Sequence, residues 1–189
     1  MQRVLLVRHA QAHGHEEVDP GLDAIGEQQA EAVARRLGED GIARVLSSPK
    51  RWGLQTATAI ADLAGCTVES TPLLDDRTPV PSSDRRTDYP AYRWDWLDET
   101  PPDERDEDGE QLSAAWSDLS ASAEADPETA ALVLVTHAFV VASFVSRVLN
   151  APPAAWMQLP VSNASITELQ LRPGSDTALV GFNDVSHLR

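Results

Sequence analysis

Short, continuous runs of apolar residues occur at several points along the chain, separated by longer stretches with helical spacing. Residues 4–7 and 131–135 are fully apolar, and runs of this length predict buried strands of a parallel sheet covered on both faces. Further strands are predicted at residues 42–46, 67–70, 165–171 and 178–182. A Pro173-Gly174 turn is expected to join the last two strands.

Helices are predicted between these strands. The first begins with Asp23 as N-cap and ends at Gly38, and its inward face is predicted to consist of Ile25, Ala32, Val33 and Leu37. The second is predicted to take Ser48 as cap and Pro49 as first helical residue, and to end at Gly65. A third spans residues 110–124, and a fourth, apolar on both faces and so expected to be buried, spans residues 139–149.

Residues 72–109 differ from the rest of the chain. They are rich in proline and contain Trp94 and Trp96, which predicts an irregular, lid-like insertion. Their acidic end, residues 98–110, is predicted to be a solvated loop. A chain of 189 residues is expected to form a single domain around this insertion.

Charge and cysteine content restrict the partners. The formal net charge of −15 argues against nucleic acid and anionic membrane surfaces, so a phosphate site would need its own arginines. The single cysteine, Cys66, excludes an internal disulfide, and no apolar stretch is long enough to span a bilayer. These features, with no leader at the N-terminus, predict a cytoplasmic protein.

Two histidines follow the two clearest strands. Arg8-His9 ends the first apolar run, and Thr136-His137 ends the second. Ligands of open α/β sheets bind beyond the carboxyl ends of the strands, so neighbouring parallel strands would bring the two histidines together. A histidine can act as nucleophile or acid, and an arginine matches a phosphate or carboxylate. A surface salt bridge at Arg8-His9 and a buried structural role for His137 remain the alternatives.

A third feature, the His13-Gly14-His15 loop, could ligate a metal, but two histidines are a weak signal for a metal site. These histidines are expected at the rim of a pocket. No metal and no cofactor are predicted.

The motifs resemble the histidine phosphatase superfamily, which includes cofactor-dependent phosphoglycerate mutase. The resemblance covers nearly the whole chain. Its carriers, in chain order, are Leu6-Val7-Arg8-His9-Ala10, residues 22–26, Gln29-Ala30, Ser47-Ser48-Pro49, Gln55-Thr56-Ala57, Gly109-Glu110, Val135-Thr136-His137, Asn163-Ala164-Ser165, Asn183-Asp184 and His187-Leu188. The resemblance implies an α/β fold: a three-layer α/β/α sandwich with a central, mostly parallel sheet of about six strands.

The resemblance also implies roles for individual residues. His9 would attack phosphorus and carry a phosphohistidine, while Arg8 and His137 would hold the phosphoryl oxygens. Asp76 would be the proton donor, in place of a longer glutamate, although it could equally be a solvated turn residue. The predicted catalytic residues are therefore His9, Asp76 and His137, and the predicted substrate-binding residues are Arg8, Arg51, His15 and Ala138.

The chain departs from the family pattern at several positions. Trp52 stands three residues after the proline, where the family has its second arginine, and Arg51 comes one residue earlier. A helical step of about 100° could turn Arg51 away, which leaves the insertion arginines Arg77, Arg85 and Arg86 as other sources of charge. Ala10 replaces a glycine, and Ala12 and His15 replace a threonine and an asparagine.

The function expected from this resemblance is hydrolysis of a small phosphorylated substrate through phospho-His9. Two alternatives remain: a catalytically impaired relative that binds a phosphorylated ligand or a partner protein, and a phosphoglycerate mutase-type phosphotransferase. The absence of the second arginine leaves the level of activity open. A homodimer is left open as the assembly.

Overall fold

A computed structural model describes residues 2–14, 19–125, 130–172 and 176–189. Its strands are β1 (Gln2–Arg8), β2 (Ile42–Ser47), β3 (Val68–Ser70), β4 (Thr78–Val80), β5 (Arg105–Glu107), β6 (Ala131–Thr136), β7 (Ile166–Leu171) and β8 (Ala178–Asp184). Its helices are α1 (Ala24–Leu37), α2 (Arg51–Ala64), α3 (Trp94–Asp98), α4 (Glu110–Ala125) and α5 (Ala138–Val148). Each of the six strands and four helices predicted from the sequence is present. The Pro173-Gly174 turn lies outside the described residues.

Six strands form one sheet in the order β3-β2-β6-β1-β7-β8. The first four of these strands are mutually parallel. Next to them, β7 is antiparallel to β1, and β8 is antiparallel to β7. Side chains alternate along β1: Val4 and Leu6 join the apolar cluster under α4 and α5, and Leu5 and Val7 join the cluster under α1 and α2. The predicted mostly parallel sheet between two helical layers is therefore confirmed.

The first helix follows its predicted bounds and part of its predicted face, since Val33 and Leu37 are buried as predicted. Asp23 caps α1 by accepting a hydrogen bond from the Gly26 N–H at 2.7 Å. Ile25 is 55% exposed, so its predicted inward position is wrong. The buried stripe is shifted by one residue from Ile25 and consists of Gly26, Ala30, Val33, Ala34 and Leu37. Gly26 allows a close approach, because a Cβ there would lie 1.9 Å from the carbonyl oxygen of Gln11.

The second helix begins later than predicted. It starts at Arg51, after Lys50 as N-cap, so the prediction of Ser48 as cap and Pro49 as first residue is wrong. The fully buried Ser48 hydroxyl accepts from the backbone N–H of Lys50 at 3.1 Å and also lies 2.8 Å from Nε2 of His137. The end of α2 is as predicted, since Gly65 adopts a left-handed conformation with φ of 72°.

Residues 72–109 contain regular structure that the sequence did not predict. The strands β4 and β5 form a two-stranded parallel ladder, and α3 lies between them in the chain. Asp106 is only 1% exposed, so a solvated loop is the wrong description of this residue. Its two carboxylate oxygens accept from the N–H groups of Gln111 and Leu112, each at 2.9 Å, which caps the first turn of α4.

Within the described ranges, the helices are too short or too polar for any of them to cross a membrane.

Candidate active site

The two histidines meet at one edge of the sheet. In the parallel pair of β1 and β6, Arg8 lies opposite Thr136, so His9 and His137 leave adjacent strands at the same level. Their ring centroids are 5.1 Å apart, and the backbone N–H of His9 donates to the Thr136 carbonyl at 2.8 Å. The structure therefore brings together the two side chains that the sequence placed at equivalent strand ends.

The protonation of the His9 ring is fixed by one backbone contact. Its Nδ1 lies 2.8 Å from the Ala10 carbonyl oxygen. A carbonyl can only accept, so Nδ1 carries the hydrogen and Nε2 keeps a free lone pair. Burial, followed by the neighbouring His137 and Arg8, lowers the pKa of His9 to about 3. His9 is therefore neutral at ordinary pH, in the tautomer a nucleophile needs.

The turn after His9 is held from two other elements. The Ala10 N–H donates to Thr56 Oγ1 of α2 at 3.0 Å, and Thr56 in turn donates to the Trp52 carbonyl at 2.7 Å. Asn163 Nδ2 donates to the His9 carbonyl at 3.1 Å. The first and the last of these bonds both restrain the peptide group between His9 and Ala10, so the position of His9 does not depend on β1 alone.

His137 is enclosed by three side chains. Its Nε2 lies 2.8 Å from Ser48 Oγ, and its Nδ1 lies 3.4 Å from both Trp52 Nε1 and Asp76 Oδ2. Burial lowers the pKa of His137 to about 3, so the ring is neutral and its contact with Asp76 is not an ion pair. Because the indole N–H can only donate, Nδ1 accepts from Trp52 and Nε2–H donates to Ser48.

Asp76 reaches the site from the start of the insertion. Its side chain is 28% exposed and touches His137, which places it in the site rather than in a solvated turn. Burial, followed by the charge of Asp75, raises the pKa of Asp76 to about 6. A carboxyl group with this pKa can exchange a proton in mildly acidic solution.

Arg8 provides a cation whose charge lowers the pKa of both His9 and His137. Its Nη1 donates to the Val161 carbonyl at 2.6 Å, and burial lowers its pKa without removing its charge. Its Nε is buried and has no hydrogen-bond partner among the described residues. An unsatisfied buried donor on a permanent cation is suited to an anionic oxygen.

Trp52 lies in the site, and Arg51 lies outside it. The Trp52 ring is 5.6 Å from the His9 ring and 6.1 Å from the His137 ring, edge-on to the latter. Arg51 is exposed, and its guanidinium packs against Gly21, where an added Cβ would lie 3.4 Å from Cζ. The one-residue rotation between neighbours on α2 separates the two side chains.

The other predicted binding residues receive less support from the geometry. Ala138 is the first residue of α5, directly after His137, and is partly buried. His15 lies outside the described residues, and His13 is exposed. In the described part of the chain, no group of three or more histidine, cysteine or acidic side chains is arranged to hold a metal ion.

The sequence does not indicate Ser48 as a member of this cluster, and it indicates Trp52 only as the residue at the position of the family's second arginine. Serine before proline is typical of a helix cap, which is the role that the sequence predicts for Ser48. Its position in the chain is the available signal. Ser48 directly follows β2, which pairs in parallel with β6, so Ser48 lies beside His137 at the edge of the sheet.

A separate groove of about 410 Å³ lies between the insertion and α5. Its lining includes Tyr89, Leu112, Arg147 and Trp156 but neither histidine. The candidate active site is therefore assigned to His9 and His137 because of the chemistry of their side chains, and not because of the size of a cavity.

Comparison with known proteins is consistent with this geometry. The family model of the histidine phosphatase superfamily (branch 1) matches residues 4–185. The mouse serine/threonine-protein phosphatase PGAM5, mitochondrial, is 30% identical over 193 residues, which is 99% of this chain and 64% of that protein. The probable phosphoglycerate mutase GpmB of Proteus mirabilis is 30% identical over 206 residues, covering 100% of this chain and 95% of that protein. This chain thus spans less than two thirds of the PGAM5 sequence it matches.

Among solved structures, the fold is similar to that of a phosphoserine phosphatase from Entamoeba histolytica crystallised with 3-phosphoglyceric acid. The TM-score is 0.77 at 20% identity, and the match covers 100% of both chains.

Proposed function

The chain belongs to the histidine phosphatase superfamily, and on that premise we propose that it hydrolyses phosphomonoesters through a phosphohistidine on His9. The observation that carries the proposal is the geometry of the two imidazoles. His9 is held with Nε2 unprotonated, and its ring centroid lies 5.1 Å from that of His137. A neutral, oriented imidazole beside a buried arginine is what attack on a phosphoryl group requires.

In the first step, the lone pair of His9 Nε2 attacks phosphorus while the bond from phosphorus to the ester oxygen breaks. Protonated Asp76 gives its proton to the departing oxygen, so the product leaves as a neutral alcohol. Arg8 would hold one non-bridging oxygen, and His137 would hold another through its Nε2–H, which the phosphoryl group would take over from Ser48. The raised pKa of Asp76, about 6, supports this role.

In the second step, water attacks the phosphohistidine and gives its proton to the Asp76 carboxylate. The bond between phosphorus and Nε2 breaks, its electron pair returns to His9, and inorganic phosphate leaves. Each group is restored to its starting state, so the cycle needs no cofactor to balance it.

The insertion would act as a lid of the single domain and select the substrate. Asp76 belongs to it, and Trp96 packs edge-on against Phe139 at 5.7 Å, two residues after His137. A lid anchored there would enclose the leaving group and exclude water from the first step. We propose a small phosphorylated molecule as substrate, and a cytoplasmic location. The net charge of −15 disfavours nucleic acid as partner.

A second candidate function is supported by Trp52. Its ring touches both imidazoles at the position where the family pattern has an arginine. With that charge absent, the site could bind a phosphorylated ligand or partner without turning it over. A phosphotransferase of the mutase type is the third candidate, supported by the GpmB relative.

One experiment separates these candidates. The purified protein is incubated with p-nitrophenyl phosphate, phosphoserine, 3-phosphoglycerate and sugar phosphates, and phosphate release is measured for the natural protein and for His9→Ala. The hydrolase predicts release that His9→Ala abolishes, and an acid-labile phosphoryl label on the natural protein only. Binding of these ligands without release supports the impaired relative, and isomerised phosphoglycerate supports the mutase.

A further inference from the structure

Among the residues that the structure describes, Arg8 is the only arginine placed in the proposed site, although a phosphoryl group carries up to two negative charges. A phosphate monoester has its second pKa near 6, so the dianion dominates at neutral pH. Trp52, in place of the second arginine, offers a neutral N–H that already donates to His137 at 3.4 Å. In a partly buried site, the second charge needs a counter-charge from elsewhere.

The arginines that could supply it are engaged elsewhere. Their partners are as follows: Arg51 packs on Gly21, Arg77 donates to the Asp103 carbonyl, Arg85 pairs with Asp88, and Arg86 forms two bonds to Asp98. Arg86 also stacks on Trp94 at 4.9 Å. These contacts hold the insertion and the start of α2 in place, so moving one of these arginines to the imidazoles would break them.

Lys50 is the only lysine of the chain, and its backbone is linked to the His137 ring through the side chain of Ser48. Its backbone N–H donates to Ser48 Oγ at 3.1 Å, and the same oxygen is 2.8 Å from His137 Nε2. Lys50 is also the N-cap of α2, so its side chain leaves the backbone where the helix meets the edge of the sheet.

The charge of Lys50 acts on the site. It lowers the pKa of His137 and of Asp76, and also that of Glu104 in the insertion. These directions agree with the place of the Lys50 backbone beside Ser48 and His137, from which a flexible lysine side chain can reach the groups that would surround the substrate.

We propose that the Lys50 ammonium is the second positive charge of the phosphoryl-binding site, an inference that rests on the proposed phosphatase function. It would contact a non-bridging oxygen opposite Arg8. A lysine is a flexible point charge, whereas an arginine is a rigid fork. Lys50 would therefore contribute mainly attraction for the anion, and orientation would be left to Arg8 and the two histidines.

The opposing interpretation is that Lys50 only neutralises acidic residues of the insertion, such as Glu104. The two roles differ in what they change. A purely structural lysine affects thermal stability and leaves the affinity for inorganic phosphate unchanged, whereas a binding lysine affects that affinity directly.

The test measures inorganic phosphate as a ligand by isothermal titration calorimetry, and as a competitive inhibitor of p-nitrophenyl phosphate hydrolysis. Lys50→Met and Lys50→Gln remove the charge, and Lys50→Arg restores it. Arg35→Met is the matched control, since it removes one exposed charge of α1 paired with Glu31 at 3.5 Å. Thermal unfolding of each variant shows whether it is folded.

We expect the two neutral variants to weaken phosphate binding and raise KM about tenfold or more, while Lys50→Arg and Arg35→Met stay within about twofold. Phosphate affinity of either folded neutral variant within twofold of the natural protein would overturn the proposal, as would a natural protein that binds no phosphate. Calorimetry needs no turnover, so a protein that binds phosphate through Lys50 but hydrolyses nothing refutes the phosphatase and keeps the binding site.

Discussion

The indole Nε1–H of Trp52 donates to Nδ1 of His137 at 3.4 Å and fixes the tautomer of a ring that is 1% exposed. With Nδ1 accepting, Nε2–H faces Ser48 Oγ at 2.8 Å. A residue that departs from the family pattern thus occupies the site and sets the hydrogen-bond direction of one of its two histidines.

Replacing Trp52 with arginine is expected to increase activity. Trp52→Arg adds a permanent charge beside both imidazoles, where it can neutralise a phosphoryl oxygen. We expect kcat/KM for p-nitrophenyl phosphate to rise roughly tenfold or more. Steady-state kinetics of Trp52→Arg against Trp52→Phe checks this, because phenylalanine removes the N–H and adds no charge. An arginine variant no faster than the phenylalanine variant would contradict the charge argument.

The pH dependence of the reaction follows from two opposite pKa shifts. The pKa of His9 is lowered to about 3, so its lone pair is available above that pH. The pKa of Asp76 is raised to about 6, so its proton is present below that pH. We expect kcat/KM for phosphoserine, whose leaving alkoxide needs a proton, to be maximal between these values and to fall above about pH 6, measured with a buffer series of constant ionic strength. Constant kcat/KM from pH 6 to 8 would exclude Asp76 as the acid.

The close approach of α1 to the loop after β1 predicts a sensitive glycine. In Gly26→Ala, the new Cβ would lie 1.9 Å from the Gln11 carbonyl oxygen, so the loop or the helix must move. We expect about 1–3 kcal/mol of destabilisation in urea unfolding, and reduced kcat because the loop continues from Ala10.

Gly38→Ala is the control for that substitution. Its φ of −59° suits any residue, and its Cβ would meet its nearest atom at 3.4 Å. Its stability should therefore stay within about 0.5 kcal/mol of the natural protein. Equal effects of the two substitutions would show that the contact with Gln11 is unimportant.

The sequence predicted the sheet and the meeting of the two histidines, because short apolar runs identify buried strands independently of their neighbours. It did not predict the start of α2, since Ser48 can cap a helix or bond a histidine, and only the neighbouring strand decides between them. For the same reason, the sequence did not predict that Asp106 caps α4. Its acidic surroundings suggested solvent, while the fold turns it towards the first N–H groups of α4.

The contact of Trp52 with the imidazoles depends on that same helix start. Because α2 begins at Arg51, the next residue is rotated by about 100° and faces the site, while Arg51 packs on Gly21. The family pattern indicates that residue 52 occupies the position of the second arginine, whereas the helix start that turns it towards the imidazoles follows from tertiary contacts.

The role proposed for Asp76 predicts a dependence on the leaving group. An alkoxide needs a proton to depart, whereas p-nitrophenolate leaves readily without one, so Asp76→Asn should slow phosphoserine hydrolysis far more than p-nitrophenyl phosphate hydrolysis. We expect a loss of about 10²–10⁴ in kcat/KM for the first substrate, measured by phosphate release. Asp103→Asn, in the same insertion but exposed, is the control. Equal losses on both substrates would mean that Asp76 positions His137, which it touches at 3.4 Å, and does not donate the proton.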